Sequence, residues 1–124
     1  MDLTQFQWKN RLLFIFAQDD SDLLFKDLKS QIVAQKAEID DRDLIVFELP
    51  AQGPARMNTS PLDQKKADSI RNQFGVPSNA FSLILVGKDG GIKLKRSDQV
   101  DLSEVFGLID SMPMRQREMR QKSQ

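Results

Sequence analysis

Three short, nearly continuous apolar runs predict buried β-strands at residues 11–17, 44–49 and 81–86. Runs without polar alternation are typical of strands that are covered on both faces, as in a parallel sheet. Pro50 is expected to end the second strand. The segment Ile92–Lys95 alternates apolar and basic residues instead, so we expect a fourth, antiparallel strand with one face toward water.

Apolar residues at helical spacing fill the intervals between these strands. The first helix is predicted over 23–39, and the last over 101–112, where Pro113 stops it. A capping-box pattern with proline at the first helical position, and a glycine at the end, predicts a middle helix over 60–75. Residues 50–60 are rich in Pro and Gly without apolar periodicity, so they are predicted to form a flexible connection.

Asp89-Gly90 lies between two extended segments, which is a strong hairpin signal. The predicted order is therefore β-α-β-α-β-β-α, with a right-handed βαβ crossover first and a hairpin near the end. This order is typical of the α/β thioredoxin-like fold, in which a central mixed sheet has helices on both faces. We predict one such domain over residues 1–113, followed by a basic C-terminal tail at 114–124.

Composition removes several kinds of chemistry. The 124 residues include no cysteine and no histidine, so they supply no thiolate, no disulfide and no imidazole base or metal ligand. We therefore assign no catalytic residue, no metal ligand and no cofactor from the sequence. Thiol oxidoreductase chemistry is excluded for these residues acting alone.

Net charge and hydropathy indicate which partners and which cellular location to expect. The net charge is zero, whereas a nucleic-acid-binding domain normally has a basic excess, so we expect no nucleic-acid partner. The apolar runs are too short to cross a bilayer, so we expect a soluble domain without a membrane partner. No secretory signal is visible, which favours the cytoplasm by default. A periplasmic or secreted location stays open if a signal was removed.

The loop between the first strand and the first helix carries the redox cysteines in enzymes of this fold, because a helix N-terminus lowers the pKa of a thiol. Here this vacated loop consists of Gln18, Asp19, Asp20, Ser21 and Asp22. The cis-proline that faces the cysteines in such enzymes is replaced by residues near Phe81. The acids of the vacated loop are typical helix-capping residues. The alternative is a calcium or magnesium site that supports enzyme chemistry without cysteine.

Cations of the predicted hairpin and tail form the candidate binding surface. They are Lys88, Lys93, Lys95, Arg96, Arg115 and Arg117. Strand alternation predicts that Lys93 and Lys95 share one face, and a tail folded back beside the hairpin would add its arginines. Such a surface fits a protein or another anionic partner. The alternative is that these charges only protect a sheet edge from pairing with another chain.

Residues near both ends of the chain also allow structural predictions. Arg11 opens a buried strand, and we expect it to pair with Asp43 or Glu48. Trp8 precedes that strand and is predicted to cover the core. The methionines of the tail either form an adaptable contact segment or belong to a frayed end.

Several segments of the chain resemble one protein family. They are 8–17, 42–46, 74–77, 86–94 and 109–115, which include the motifs Gly87-Lys88-Asp89-Gly90-Gly91 and Met112-Pro113-Met114-Arg115. The sequence resembles the domain of unknown function 4174 family, a small bacterial family whose sequence recurs in vertebrate extracellular proteins. The resemblance implies a thioredoxin-like, peroxiredoxin-related fold without redox cysteines, a bacterial source and no established activity.

These features together predict a non-catalytic thioredoxin-like domain of uncharacterised function that binds a protein or another anionic partner. Two alternatives stay open. One is an enzyme that uses carboxylates or a divalent cation at the vacated loop. The other is a thiol-less partner that works with the cysteines of another chain.

Overall fold

The structure, a computed structural model, describes residues 1–122. Its strands are β1 (Arg11–Asp19), β2 (Leu44–Gln52), β3 (Arg56–Met57), β4 (Ser60–Pro61), β5 (Ser82–Val86) and β6 (Ile92–Arg96). Its α-helices are α1 (Leu23–Ala34), α2 (Lys36–Asp41), α3 (Gln64–Phe74), α4 (Leu102–Asp110) and α5 (Pro113–Lys122), and a short 3₁₀ helix covers Leu3–Phe6. Within this part of the chain, no helix combines the length and hydrophobicity needed to cross a membrane.

The strands form one mixed sheet in the order β4-β3-β2-β1-β5-β6. Strand β1 runs parallel to β2 and antiparallel to β5, and β6 pairs antiparallel with β5. The βαβ crossover, the closing hairpin and the placement of helices on both faces confirm the predicted architecture.

Both faces of β1 are buried, which explains its unbroken apolar run. Because side chains alternate along a strand, Leu13 and Ile15 pack with residues of α1 and α4, while Phe14 and Phe16 pack with residues of α3. The ring centroid of Phe14 lies 4.7 Å from that of Phe47. The sheet therefore separates two hydrophobic cores.

The prediction of a flexible connection over 50–60 is wrong, and so is the predicted end of β2 at Pro50. Strand β2 continues to Gln52, and the connection folds into the small hairpin of β3 and β4. Pro50 is tolerated because β3 pairs only with Phe47 and Glu48, so no neighbour on that side requires the missing N–H of Pro50. The Asn58 side chain further fixes the small hairpin by accepting the Val46 N–H at 2.9 Å.

Two predicted helix boundaries also differ. The predicted helix over 23–39 is interrupted at Gln35, whose φ of −122° is not helical, and becomes α1 and α2. Helix α3 begins after the N-cap Asp63, because Ser60 and Pro61 are taken up by strand pairing in β4. The predicted end is confirmed: Gly75 adopts the left-handed conformation with φ +65°.

Residues 113–122 of the chain form a helix that folds back on the domain. Helix α4 ends at Asp110, and Pro113 is the first residue of α5, a position where its missing N–H is harmless. The frayed end considered for the tail is therefore not seen in these residues. The last two residues of the predicted tail, 123–124, lie outside the described residues.

Candidate functional site

The vacated loop is organised by hydrogen bonds within the chain. Asp22 caps α1 by accepting the Phe25 N–H at 3.0 Å. Asp19 accepts the Ser21 N–H at 2.9 Å together with the Ser21 hydroxyl, and these hydrogen bonds lower the pKa of Asp19. Asp20 forms an ion pair with Lys29 at 3.6 Å. Asp22 thus caps the helix and Asp19 forms the turn, as the capping interpretation predicts, whereas Asp20 pairs with a lysine.

Two other predicted residues of this region take no part in these hydrogen bonds. The side chain of Gln18 is exposed, and Phe81 packs against the core on the α1 and α4 side of the sheet. Among residues 1–122 there is no group of three or more acidic side chains arranged to hold a metal ion. The geometry therefore lends no support to a cation site at the vacated loop.

Sequence reasoning missed Arg71, which lies next to the ends of β1 and β2. Its Nη2 donates to Leu49 O at 2.6 Å and to Ala17 O at 3.2 Å, and its Nη1 donates to Pro77 O at 3.0 Å. Burial lowers the pKa of Arg71 against the opposing effect of Asp68. The sequence did carry a signal, because Arg71 follows Ala67 by one helical turn on the buried stripe of α3.

The buried Arg11 pairs with the returning helix α5. Its side chain is 1% exposed, and its two terminal nitrogens each donate to one oxygen of Glu118 at 3.1 Å. Its Nη1 also donates to Arg42 O at 2.9 Å. The predicted pairing with Asp43 or Glu48 is wrong, since a carboxylate far along the chain occupies the guanidinium.

Lys88 and Arg115, two of the six predicted binding residues, belong to the same ion-pair cluster. Lys88 Nζ lies 2.8 Å from Asp43 Oδ2 and 2.9 Å from Glu118 Oε2. Arg115, which is 2% exposed, contacts Asp41 at 2.6 Å and donates to Asp110. Both cations are therefore buried and paired with carboxylates, although Lys88 also lines a groove described below.

The carboxylates of the cluster are held in their charged form. Hydrogen bonds from Lys122 and Arg115 lower the pKa of Asp41 to about 2. Burial acts to raise the pKa of Glu118, but hydrogen bonds from Arg11 and Lys88 outweigh it, so the pKa is lowered. Helix α5 is therefore fastened to the domain by charge pairing as well as by packing.

Three of the other four predicted binding residues lie on β6 and divide between the two sides of the sheet. Arg96 is paired with Asp98 at 2.7 Å and with Glu104 at 2.9 Å. The ladder between β5 and β6 has an irregularity, so Lys93 and Lys95 do not share a face as predicted. Lys95 pairs with Ile84 and lies on the α3 side, whereas Lys93 lies near Met112 on the α4 side.

A groove of about 360 Å³ runs between the β5–β6 hairpin and the start of α5. We call it the tail groove. Its surface side chains include Trp8, Lys93, Met112, Met114 and Arg117, and the paired residues Arg11, Lys88 and Asp89 also line it. Lys93 forms an exposed ion pair with Asp89 at 2.8 Å. Arg117 has no ion pair with any residue of 1–122. The groove therefore combines apolar side chains with cations at the surface.

The prediction that Trp8 covers the core is wrong. Its side chain is 62% exposed, and its backbone has a φ of +68°, which is rare for a bulky residue. The Trp8 N–H donates to Lys88 O at 2.6 Å, and this bond fixes the segment before β1 against the hairpin. Trp8 therefore lines the tail groove at the surface and does not pack in the interior.

The sequence of the chain is similar to segments of larger proteins. The chain is 28% identical over 133 residues to coiled-coil domain-containing protein 80 of Danio rerio, covering 94% of this chain and 15% of that protein. It is 29% identical to sushi repeat-containing protein SRPX of Rattus norvegicus, covering 94% of this chain and 26% of that protein. The chain thus spans only 15% and 26% of the length of these two relatives. Both are animal proteins, so they do not support the expected bacterial source.

A similar solved structure shows the fold of the chain, and a family model shows the family to which it belongs. A reduced 2-Cys peroxiredoxin of Plasmodium vivax superimposes with a TM-score of 0.68 at 14% identity, covering 94% of this chain and 85% of that chain. This similarity confirms the thioredoxin-like fold. The family model described as "Domain of unknown function (DUF4174)" matches residues 2–118 of the chain. The chain belongs to the DUF4174 family, with a thioredoxin-like fold and no cysteine.

Proposed function

We propose that this domain is a non-catalytic interaction module that binds an acidic segment of a partner protein in the tail groove. The observation that carries the proposal is the exposed Trp8 beside two surface cations, Lys93 and Arg117. Tryptophan and arginine are the side chains most enriched among residues that dominate binding energy at protein interfaces.

The chemistry of the groove suits an acidic segment that also carries apolar side chains. Arg117 is available to a carboxylate because it has no ion pair among the described residues. The ion pair between Lys93 and Asp89 is exposed, so exchanging Asp89 for a partner carboxylate costs little. Met112 and Met114 supply flexible apolar contacts that can adapt to different side chains.

The alternative of enzyme chemistry at the vacated loop has weaker support. Asp19 and Asp22 already accept hydrogen bonds from Ser21 and the N-terminus of α1. The 124 residues also lack the thiols on which redox chemistry of this fold depends. A role as a thiol-less partner is compatible with an interaction module, because such a partner must also bind another chain.

A charge-reversal experiment tests the proposal. The double variant Lys93→Glu/Arg117→Glu is expected to bind a synthetic peptide of alternating glutamate and leucine at least tenfold more weakly, or about 1.4 kcal/mol. The physical reason is that two attractive contacts become repulsive. Isothermal titration calorimetry measures the change.

Lys95→Glu is the matched control, because Lys95 lies on the same strand but on the opposite face of the sheet. It is expected to leave the affinity within about twofold. A loss of binding free energy by Lys95→Glu that is half the loss by the double variant, in proportion to their changes of net charge, would mean that only net charge matters. Unchanged binding by the double variant would place the binding surface elsewhere.

A further inference from the structure

A second groove, which we call the edge groove, lies near the opposite edge of the sheet. It is situated between the α1–α2 junction and the β2–β3 pair, and has a volume of about 310 Å³. Its apolar lining includes Ile32, Ile39 and Val46. Val33 stands at the groove with its side chain 80% exposed. The helix is interrupted at Gln35, between the lining residues of α1 and those of α2.

Two opposite charges line this apolar space without forming an ion pair with each other. Glu48 is half-buried, and Arg56 is its direct partner in the β2–β3 ladder. Within residues 1–122, neither side chain forms an ion pair or a side-chain hydrogen bond. By contrast, the other two cations of the groove are already paired, with Lys29 at 3.6 Å from Asp20 and Lys36 at 2.9 Å from Asp40.

We propose that the edge groove binds a small zwitterion with an apolar body, of the α-amino-acid type. The ammonium group binds Glu48, the carboxylate binds Arg56, and the apolar side chain packs on Ile32, Ile39 and Val46. Directly opposed residues of an antiparallel pair have Cβ atoms roughly 5 Å apart, so their charged groups can reach the two adjacent charges of such a molecule. Charge-assisted hydrogen bonds make both contacts strong.

Charge complementarity selects the zwitterion over simpler ligands. A ligand with only an ammonium group would leave Arg56 unpaired and add a positive charge near Lys29. A ligand with only a carboxylate would be repelled by Glu48. Burial raises the pKa of Glu48 against the opposing effects of Lys29 and Arg56. The edge groove shares no lining residue with the tail groove, so the proposal is independent of the proposed function.

Titration of the full chain with L-leucine, followed by NMR chemical shifts of backbone amides, tests the proposal. We expect saturable shifts of residues lining the edge groove. N-acetyl-leucine, which lacks the ammonium group, and leucine amide, which lacks the carboxylate, are each expected to bind at least tenfold more weakly. Glu48→Gln and Arg56→Gln are each expected to weaken the binding of leucine by a similar factor.

The double variant Lys36→Gln/Asp40→Asn is the matched control, because it removes a groove ion pair that is already satisfied. It is expected to keep the affinity for leucine within about twofold. Unchanged amide spectra of the variants outside the groove confirm that they fold. Absence of leucine binding, equal binding of either derivative, or shifts located in the tail groove would each overturn the proposal.

Discussion

Replacing Glu118 by alanine is expected to lower the free energy of unfolding by about 3–5 kcal/mol, the usual penalty for leaving a buried charge unpaired. Glu118 is the carboxylate partner of Arg11 and one of two partners of Lys88. Without it, the guanidinium of Arg11 stays buried and keeps only the hydrogen bond to Arg42 O. Urea denaturation followed by circular dichroism measures the change.

The matched control is Glu38→Ala, which also removes a carboxylate from an arginine. Glu38 is exposed, and its partner Arg42 keeps a second carboxylate, Asp110, at 2.8 Å. We therefore expect a loss of no more than about 1 kcal/mol, as is usual for exposed pairs. If the two variants lost the same stability, the cluster would not fasten α5 to the domain.

Replacing Arg71 by alanine is expected to destabilise the protein by about 3 kcal/mol, because hydrogen bonds between a charged donor and buried carbonyls are lost together. These bonds join β1, β2 and the turn after α3 beside the vacated loop. Arg71→Lys is expected to recover less than half of the loss. A single ammonium group cannot reproduce the planar fork of a guanidinium. Thermal denaturation measures both variants.

Lys65→Ala serves as the control for Arg71→Ala, since Lys65 is an exposed cation in the same helix. It is expected to change stability by no more than about 0.5 kcal/mol. An Arg71→Ala protein as stable as Lys65→Ala would show that the guanidinium does not brace the strand ends.

Much of the fold could be predicted from the sequence because local patterns determine it. The run 11–17 is apolar at every position from Leu12 onward, and the structure covers β1 on both faces. Gly75 and the turn at Asp89-Gly90 were recognisable because each needs a special backbone conformation. The positions of Pro50 and Ser60 were not predictable in this way. Their conformation depends on which neighbouring strands need hydrogen bonds, and that is a property of the assembled sheet.

The candidate site was harder to predict, because contacts between residues far apart in the sequence determine which charged side chains are buried in ion pairs and which stay at the surface. Arg11 and Glu118 are 107 positions apart, and nothing local in the sequence links them. The same folding back of α5 buries Arg115 and Lys88 while it leaves Arg117 at the tail groove. An irregularity in β6 likewise separates Lys93 from Lys95, although strict alternation predicts a shared face. A cluster of cations in a sequence therefore does not by itself define a binding surface.

The fluorescence of Trp8 tests the central proposal most directly. Trp8 is the single tryptophan and the chain has no tyrosine, so the intrinsic emission reports on the tail groove alone. On titration with the glutamate–leucine peptide, we expect the emission of the exposed indole to shift to shorter wavelength, with saturation. The shift should be lost in Lys93→Glu/Arg117→Glu and retained in Lys95→Glu. Calorimetric binding of the peptide with unchanged Trp8 emission would contradict an acidic partner in the tail groove.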